Sequence, residues 1–415
     1  MGAPGAGDCR AGKGSAQAEG LTTRLRSFQL SADPKKVMVI GGGIAGLTAA
    51  WELSKCGVLV DLVEKSDHLG GHAIQYCCKA TDECRQCGAC SVEKMLKNVV
   101  EAPNINVHCG VEVDRVARNG RFEVSLQPSG AAAPAASPGC RERYETDPLA
   151  CAAARKFSKN NAALDCGGTA ADLKVDAIVL ASGFAPFDAT RKGTYNYGKL
   201  PNVVTGLELE RGVRANGRVL RPSDGKPPAK VAFIQCVGSR DERLGNLWCS
   251  HVCCPYALRA AELMKHHNPE VEITVFYMDI QNTGNNFPAF YEKCKQDLQF
   301  VRNIPVDIYP MEDDRLRMRY TAEADGFPVD AEFDLVVLSI GIMPGLDNQR
   351  MATLLDIGLD ADGFFQSSDS FHRTATTNNG VFLAGTVGGP KTIAASMAHA
   401  GQAAYEAMKY LGGGE

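Results

Sequence analysis

Residues 35–64 leave this chain little choice of fold. KKVMVIGGG is a short apolar run ending in glycines, IAGLTAAWELSKCG is amphipathic with a glycine stop, and VLVDLVEK ends on Glu64. The pattern predicts one βαβ unit with the dinucleotide fingerprint G-x-G-x-x-G at Gly41, Gly43 and Gly46, and an acid 18 residues past the last glycine. Gly41 permits the tight turn, Gly43 lets backbone approach a pyrophosphate, and Gly46 lets helix and strand pack closely. The free N–H groups of the helix start, at Ile44 and Ala45, then face the phosphates. Glu64, followed by Lys65, is placed to accept hydrogen bonds from an adenosine ribose. A lone fingerprint is weak. The strand–turn–helix–strand setting argues against a glycine-rich turn in an unrelated α/β fold.

The rest of the chain is long enough, at 415 residues, for two or three domains with a full core. Its 44 basic and 48 acidic residues give a net charge of −4, which argues against a nucleic-acid partner held by counterion release. No apolar run reaches the roughly 18 residues of a membrane-spanning helix. The N-terminus, MGAPGAGDCRAGKGSAQAEG, lacks the apolar stretch of a secretory signal. A cytoplasmic chain is therefore expected. There, 16 cysteines point to metal or redox roles rather than to disulfides. Cys84, Cys87 and Cys90 form C-x2-C-x2-C, with Cys77 and Cys78 just upstream; Cys236, Cys249, Cys253 and Cys254 form C-x12-C-x3-C-C.

The expected organisation has six parts. Residues 1–33 read as a flexible tail, 34–127 as the first part of a flavin-type dinucleotide domain with a cysteine-rich loop over 77–90, and 128–172 as a low-complexity insertion. Residues 173–228 read as a further segment of that domain and a linker, with the strand VDAIVLASGF running into Ser182 and Gly183. Residues 229–333 read as an inserted Rossmann-like domain. Residues 334–415 read as the second part of the first domain: DLVVLSIG and GVFLAGTVGGP as buried strands, then a long amphipathic helix after Lys391 and Thr392. The start of that helix could face a flavin carbonyl or ribityl chain. The first turn of the inserted domain is CVGSRD, with one glycine, so the usual turn for a nicotinamide dinucleotide is missing there.

This order of segments resembles the two-dinucleotide-domain flavoproteins of the thioredoxin-reductase type. The resemblance implies FAD contacts at Gly385 and Thr386, and at the turn Leu69–Gly70–Gly71. FIQCVGSRDERLGNLWCSHVCCPYALRAAELMK, FYMDIQNTGNNFPAFYEK and GGPKTIAASMAHAGQAA further resemble the HdrA-type flavoproteins of heterodisulfide reductase and their relatives in quinone-interacting membrane-bound oxidoreductases, over about 35–412. That resemblance implies FAD, and a [4Fe–4S] cluster on Cys236, Cys249, Cys253 and Cys254. It also implies partners that are other redox subunits of a heterodisulfide-reductase-like or quinone-linked complex, with peripheral association at the inner membrane through them. The chain reads as a short form: a C-terminal ferredoxin domain is not expected, and the insertion carries only Cys140, Cys151 and Cys166 at irregular spacing.

Two chemical expectations follow. Cys84, Cys87 and Cys90 resemble a ferredoxin triple and need a fourth ligand, Cys78 or Cys77, with Cys78 favoured. For the second set, Cys249 and Cys253 are one helical turn apart and share a side, while Cys254 points elsewhere unless the backbone kinks. Zinc sites, redox dithiols and buried structural cysteines are the alternatives. Lys391 is the candidate for stabilising a reduced, anionic flavin. His251 reads as a packing or hydrogen-bonding residue, with a proton relay as the alternative, and Tyr256 and Tyr277 as core. The first functional expectation is an oxidoreductase subunit whose flavin passes electron pairs singly to clusters, or the reverse. The rivals are a stand-alone NAD(P)H-dependent disulfide reductase using Cys253 or Cys254, and a non-catalytic assembly subunit that keeps a flavin fold.

Overall fold

The computed structural model describes residues 34–130, 164–165, 168–281, 287–323 and 326–412. The tail over 1–33 and the insertion cysteines Cys140, Cys151 and Cys166 lie outside them.

Two parallel sheets carry the architecture. The first is built on β1 (Lys36–Ile40), β2 (Leu59–Glu64), β3 (Ile105–Cys109) and β4 (Ala177–Leu180). Helix α1 (Ile44–Lys55) crosses from β1 to β2, and α2 (Ala89–Glu101) leads into β3. The second sheet holds β5 (Val203–Thr205), β6 (Lys230–Val237), β7 (Glu272–Phe276), β8 (Gln299–Val301) and β9 (Leu335–Ile340), and β10 (Val381–Leu383) returns to the first. The orders are β10-β4-β1-β2-β3 followed by the strand Leu164–Asp165, and β5-β9-β6-β7-β8. Parallel strands need crossovers that cover both faces, so they read as unbroken apolar runs such as VMVI and VAFI. Helices α3 (Gly206–Asn216), α4 (Cys253–His267), α5 (Phe287–Asp297), α6 (Asn348–Leu355) and α7 (Ile393–Leu411) complete the helical layers.

The segments 203–205 and 335–340, expected in the first domain, pair in the second sheet instead, where β9 lies between β5 and β6. An apolar strand ending in glycine looks the same whichever sheet it enters. Pairing alone decides, and a clamp at the start of β9 helps to fix it: Asp334 Oδ2 accepts from the N–H groups of Ala229 and Lys230 at 2.8 Å. The first sheet uses the same clamp, with Asp176 Oδ2 accepting from Lys36 N at 2.9 Å beside β4 and β1. Two chain crossings join the halves at Ala185–Pro186 and Ile342–Met343, which pair antiparallel.

Two antiparallel three-stranded sheets flank these. One joins Val111–Asn119, Arg121–Pro128 and Ala171–Val175, so residues 171–172, at the end of the expected insertion, already belong to folded structure. The other joins Ile308–Pro310, Leu316–Thr321 and Pro328–Phe333.

The second core centres on Phe233, fully buried on β6 among Ala257, Leu258, Val275 and Val337. Phe233→Ala is expected to cost about 3–5 kcal/mol of unfolding free energy, read from denaturant midpoints at unchanged slope.

Candidate flavin cleft and thiol pocket

A cleft of about 590 Å³ opens at the carboxyl ends of the first sheet. Its floor is the turn between β1 and α1. Helix α1 has Gly43 as its N-cap with no side-chain cap, so its first N–H groups are left for a ligand. Gly41 holds φ at +107°, and a Cβ there would sit 2.4 Å from the Ala181 carbonyl oxygen. A Cβ on Gly46 would sit 1.8 Å from the Gly41 carbonyl oxygen, so only glycine lets helix and strand come this close.

Of the expected cofactor residues, Gly41, Gly43, Ile44, Ala45, Glu64, Lys65, Gly70, Gly71, Ser182, Gly183, Thr386, Lys391 and Thr392 line this cleft. Gly46 and Gly385 stand behind its wall. A Cβ on Gly385 would meet the Ala45 methyl at 2.5 Å, so this glycine brings the turn after β10 against α1. Glu64 does more than face a ribose. Its Oε2 accepts from Gly42 N at 2.6 Å and its Oε1 from Ser66 N at 2.8 Å, which ties the two turns of the cleft together. The Thr392 hydroxyl is taken up as the N-cap of α7, accepting from Ala395 N at 3.2 Å. Lys391 donates to the carbonyls of Gly388 and Gly389 at 3.2 and 3.3 Å, and burial, then Arg373, holds its ammonium below the usual lysine range.

Several wall residues carry no sequence motif and were not expected. Arg350 on α6 and Asp347 at its N-cap line the cleft with Glu64 and Lys65, and Lys65 pairs with Asp347 at 2.6 Å. Tyr76, Lys79, Glu210 and Tyr256 line it too, which takes Tyr256 out of a pure core role. His399, on α7, was not expected either: its Nδ1 accepts from Gly385 N at 3.0 Å. A histidine in the interior of α7 has no neighbouring signature, so spacing alone could not have found it.

The cysteine sets differ in how the fold treats them. Cys236, Cys253 and Cys254 share one buried cluster with Tyr256, Met278 and Ile280 packed against it. Cys236 lies near the end of β6, where a register shift against β9 falls between Ile234 and Val237. The left-handed φ values of Cys236 (+59°), Arg240 (+52°) and His251 (+60°) concentrate backbone strain around these thiols. Helix α4 begins at Cys253, so Cys249 precedes it rather than sharing its face, and Cys254 turns toward Cys253 and Cys236 instead of away. The reason is position: the first two residues of an uncapped helix both project from its start. His251 is exposed, and it is its backbone N–H that acts, donating to Cys249 Sγ at 3.4 Å. The Cys253 thiol, donating to Cys254, pulls the Cys254 thiol down to about 7 against the cost of burial, and Arg240 adds to the pull. Arg240 in turn pairs with Asp279 at 2.5 Å.

The first set is spread along an irregular loop. Cys78, Cys84 and Cys90 are exposed and Cys87 is half-buried at the cleft wall, near the start of α7, where Gly88 meets Ile393. Cys77 is buried, and burial and the nearby Glu210 push its thiol up to about 12. Among the described residues no three or more His, Cys, Asp or Glu side chains stand in a metal-holding arrangement. The donor chemistry of the second set nevertheless fits a sulfur-ligated centre, because its thiols converge at a helix start beside an arginine.

Fold and cleft define a protein of the two-dinucleotide-domain fold. Residues 39–85 match the NAD(P)-binding Rossmann-like domain. The fold matches thioredoxin reductase of Lactococcus lactis (TM-score 0.55, 16% identity, covering 91% of this chain and 99% of that one). Thioredoxin reductase of T. acidophilum gives a TM-score of 0.54 at 15% identity, over 91% of this chain and 99% of that one. In sequence, the chain is similar to the A subunits of CoB–CoM heterodisulfide reductases. It is 34% identical to the A-type iron–sulfur subunit of CoB–CoM heterodisulfide reductase from Methanocaldococcus jannaschii, over 89% of this chain and 63% of that one. It is 31% identical to the A-type subunit of the H(2):CoB–CoM heterodisulfide,ferredoxin reductase from Methanothermobacter thermautotrophicus, over 93% of this chain and 65% of that one. The chain thus spans a little under two thirds of these relatives' length. Among the described residues no helix is long and apolar enough to cross a membrane.

Two outcomes are expected. Gly46→Val, by driving helix from strand, should abolish flavin retention in purified protein, read from its absorbance. His399 is held neutral by burial, its pKa lowered from 6.5 to about 4. The unfolded chain therefore binds the extra proton first as pH falls, and stability is lost between about 6.5 and about 4. Thermal midpoints should fall across that window, and less steeply in His399→Asn.

Proposed function

We propose that this chain is an FAD- and [4Fe–4S]-containing electron-transfer oxidoreductase subunit of a heterodisulfide-reductase-like or quinone-linked complex. One observation carries the reading. In the second sheet, the turn after β6 and the start of α4 form the place where a second dinucleotide's pyrophosphate would rest, and there the chain puts Cys236, Cys253 and Cys254 in place of glycines. That site favours thiolate-ligated metal over a nicotinamide cofactor. When bound, FAD exchanges electron pairs and iron–sulfur clusters exchange single electrons.

The chain's own residues supply the rest. The α1 start and the glycines at 41 and 43 hold phosphates; Gly70, Gly71, Ser182 and Gly183 shape the cleft; Lys391 places a half-desolvated cation beside it. Cys236, Cys249, Cys253 and Cys254 are the ligands of one cluster, and Cys78, Cys84, Cys87 and Cys90 of a second. Both sets adjoin the cleft, the first through Pro255 and Tyr256 and the second through Cys87. Exposure of Cys78, Cys84 and Cys90 suits a cluster that meets a partner redox subunit, which would also provide any peripheral membrane association.

A second reading has one observation behind it: a Cys254 thiol near 7 would serve an NAD(P)H-dependent disulfide reductase. Anaerobic purification separates the two. The electron-transfer reading expects flavin with about eight irons and matching acid-labile sulfide per chain, and Cys236→Ser should remove about half of them. Near-zero iron with flavin bleached by NADPH would establish the disulfide reductase instead. Lys391→Ala is expected to lower the flavin midpoint potential, because the cation that stabilises the reduced form is gone. An unchanged potential would remove Lys391 from the chemistry.

A further inference from the structure

One histidine in the interior of α7 fastens a wall of the cleft. The His399 ring is half-buried. Its Nδ1 accepts from Gly385 N at 3.0 Å, and its Nε2 lies 3.2 Å from the Arg373 carbonyl. An amide N–H can only donate and a carbonyl can only accept. These partners therefore fix one neutral tautomer, with Nδ1 bare and Nε2 protonated. The next carbonyl along, that of Thr374, accepts from Leu383 N on β10 at 2.7 Å. The ring thus ties together α7, the segment at Arg373 and the turn after β10.

That turn bears directly on the cleft. Gly385 has a φ of +73°, and a Cβ there would meet the Ala45 methyl at 2.5 Å, so the turn lies against the first residues of α1. Thr386, the next residue, lines the cleft, as does Ala45. Floor and wall both depend on where Gly385 sits, and the Gly385 N–H has its partner in His399.

A protonated ring could not accept that N–H, and it would face two cations. Burial, then Lys391 just before α7 and Arg373 beside the ring, hold it neutral. The other elements packed here add no unpaired charge. β4, β10 and the Gly385 turn carry no charged residue, and on α1 Glu52 pairs with Lys55 at 2.6 Å.

We propose that His399 is a positioning residue for FAD: the neutral ring seats the Gly385 turn against α1, and protonation lets the turn go and loosens the cofactor. This role rests on the flavin cleft of the proposed function.

The test uses the full-length protein loaded with FAD. The FAD dissociation constant is read from flavin fluorescence from neutral pH down to about 4, with thermal midpoints alongside. The wild-type constant is expected to stay flat near neutral pH and to rise as pH falls toward about 4, because the neutral ring is the form that holds the turn. His399→Asn keeps an acceptor for Gly385 N but does not titrate. It is expected to match the wild type at neutral pH and to lose the acid rise. His399→Leu leaves that N–H without a partner and is expected to raise the constant roughly tenfold at neutral pH. A role in packing alone would lower thermal midpoints without changing the shape of the pH profile. If His399→Leu does not fold, the His399→Asn profile still decides. An acid rise that is absent from the wild type, or that persists in His399→Asn, overturns the role. So does a folded His399→Leu with an unchanged constant. Wild-type protein that takes up no FAD refutes the flavin cleft itself, and the role with it.

Discussion

Everything in this protein is arranged around what occupies the carboxyl ends of two parallel sheets. A parallel strand that feeds a helix leaves that helix's first N–H groups without partners, and those groups attract negative charge. Both α1 and α4 start without a side-chain cap. In the first half the turn is glycine, so backbone can close on a pyrophosphate. In the second half it is cysteine, so the same electropositive end faces thiols. One architectural position is filled with two residue types.

The two halves share more than their sheet order. Asp176 and Asp334 each clamp the first N–H of a neighbouring central strand, Lys36 in one sheet and Lys230 in the other. The divergence falls where the chemistry lies. The first half places glycine at Gly41 and Gly46, where Cβ atoms would collide with backbone. The second instead tolerates left-handed Cys236, Arg240 and His251, a strain that the surrounding packing must hold in place. Arg240, paired with Asp279, brings a fixed positive charge to the thiols.

Between the halves lies the cleft, and its walls come from both. The first half contributes the floor and the β2 turn; α3, α4 and α6 contribute Glu210, Tyr256 and Arg350. A cofactor seated there touches elements of either sheet, so its environment depends on how the layers meet. The buried Lys79–Glu210 pair and the Lys65–Asp347 pair fasten that meeting at two places, one dry and one half-exposed. Salt will screen the second far more than the first.

The sequence by itself determined the βαβ unit over 35–64, the alternation of strand and helix, and the two cysteine groups, because these are local: a turn that only glycine can make, an apolar period, a spacing of thiols. Gly41, Gly43 and Glu64 were legible for that reason, and thirteen expected cofactor positions do line one cleft. Only the tertiary structure decided which sheet β5 and β9 join, since buried parallel strands carry the same apolar text in either. It decided that Gly385 packs against Ala45, that Cys254 faces Cys236, and that Cys77 meets Glu210, 133 residues away. Each of these rests on a contact between distant segments, and spacing along a chain does not encode such contacts.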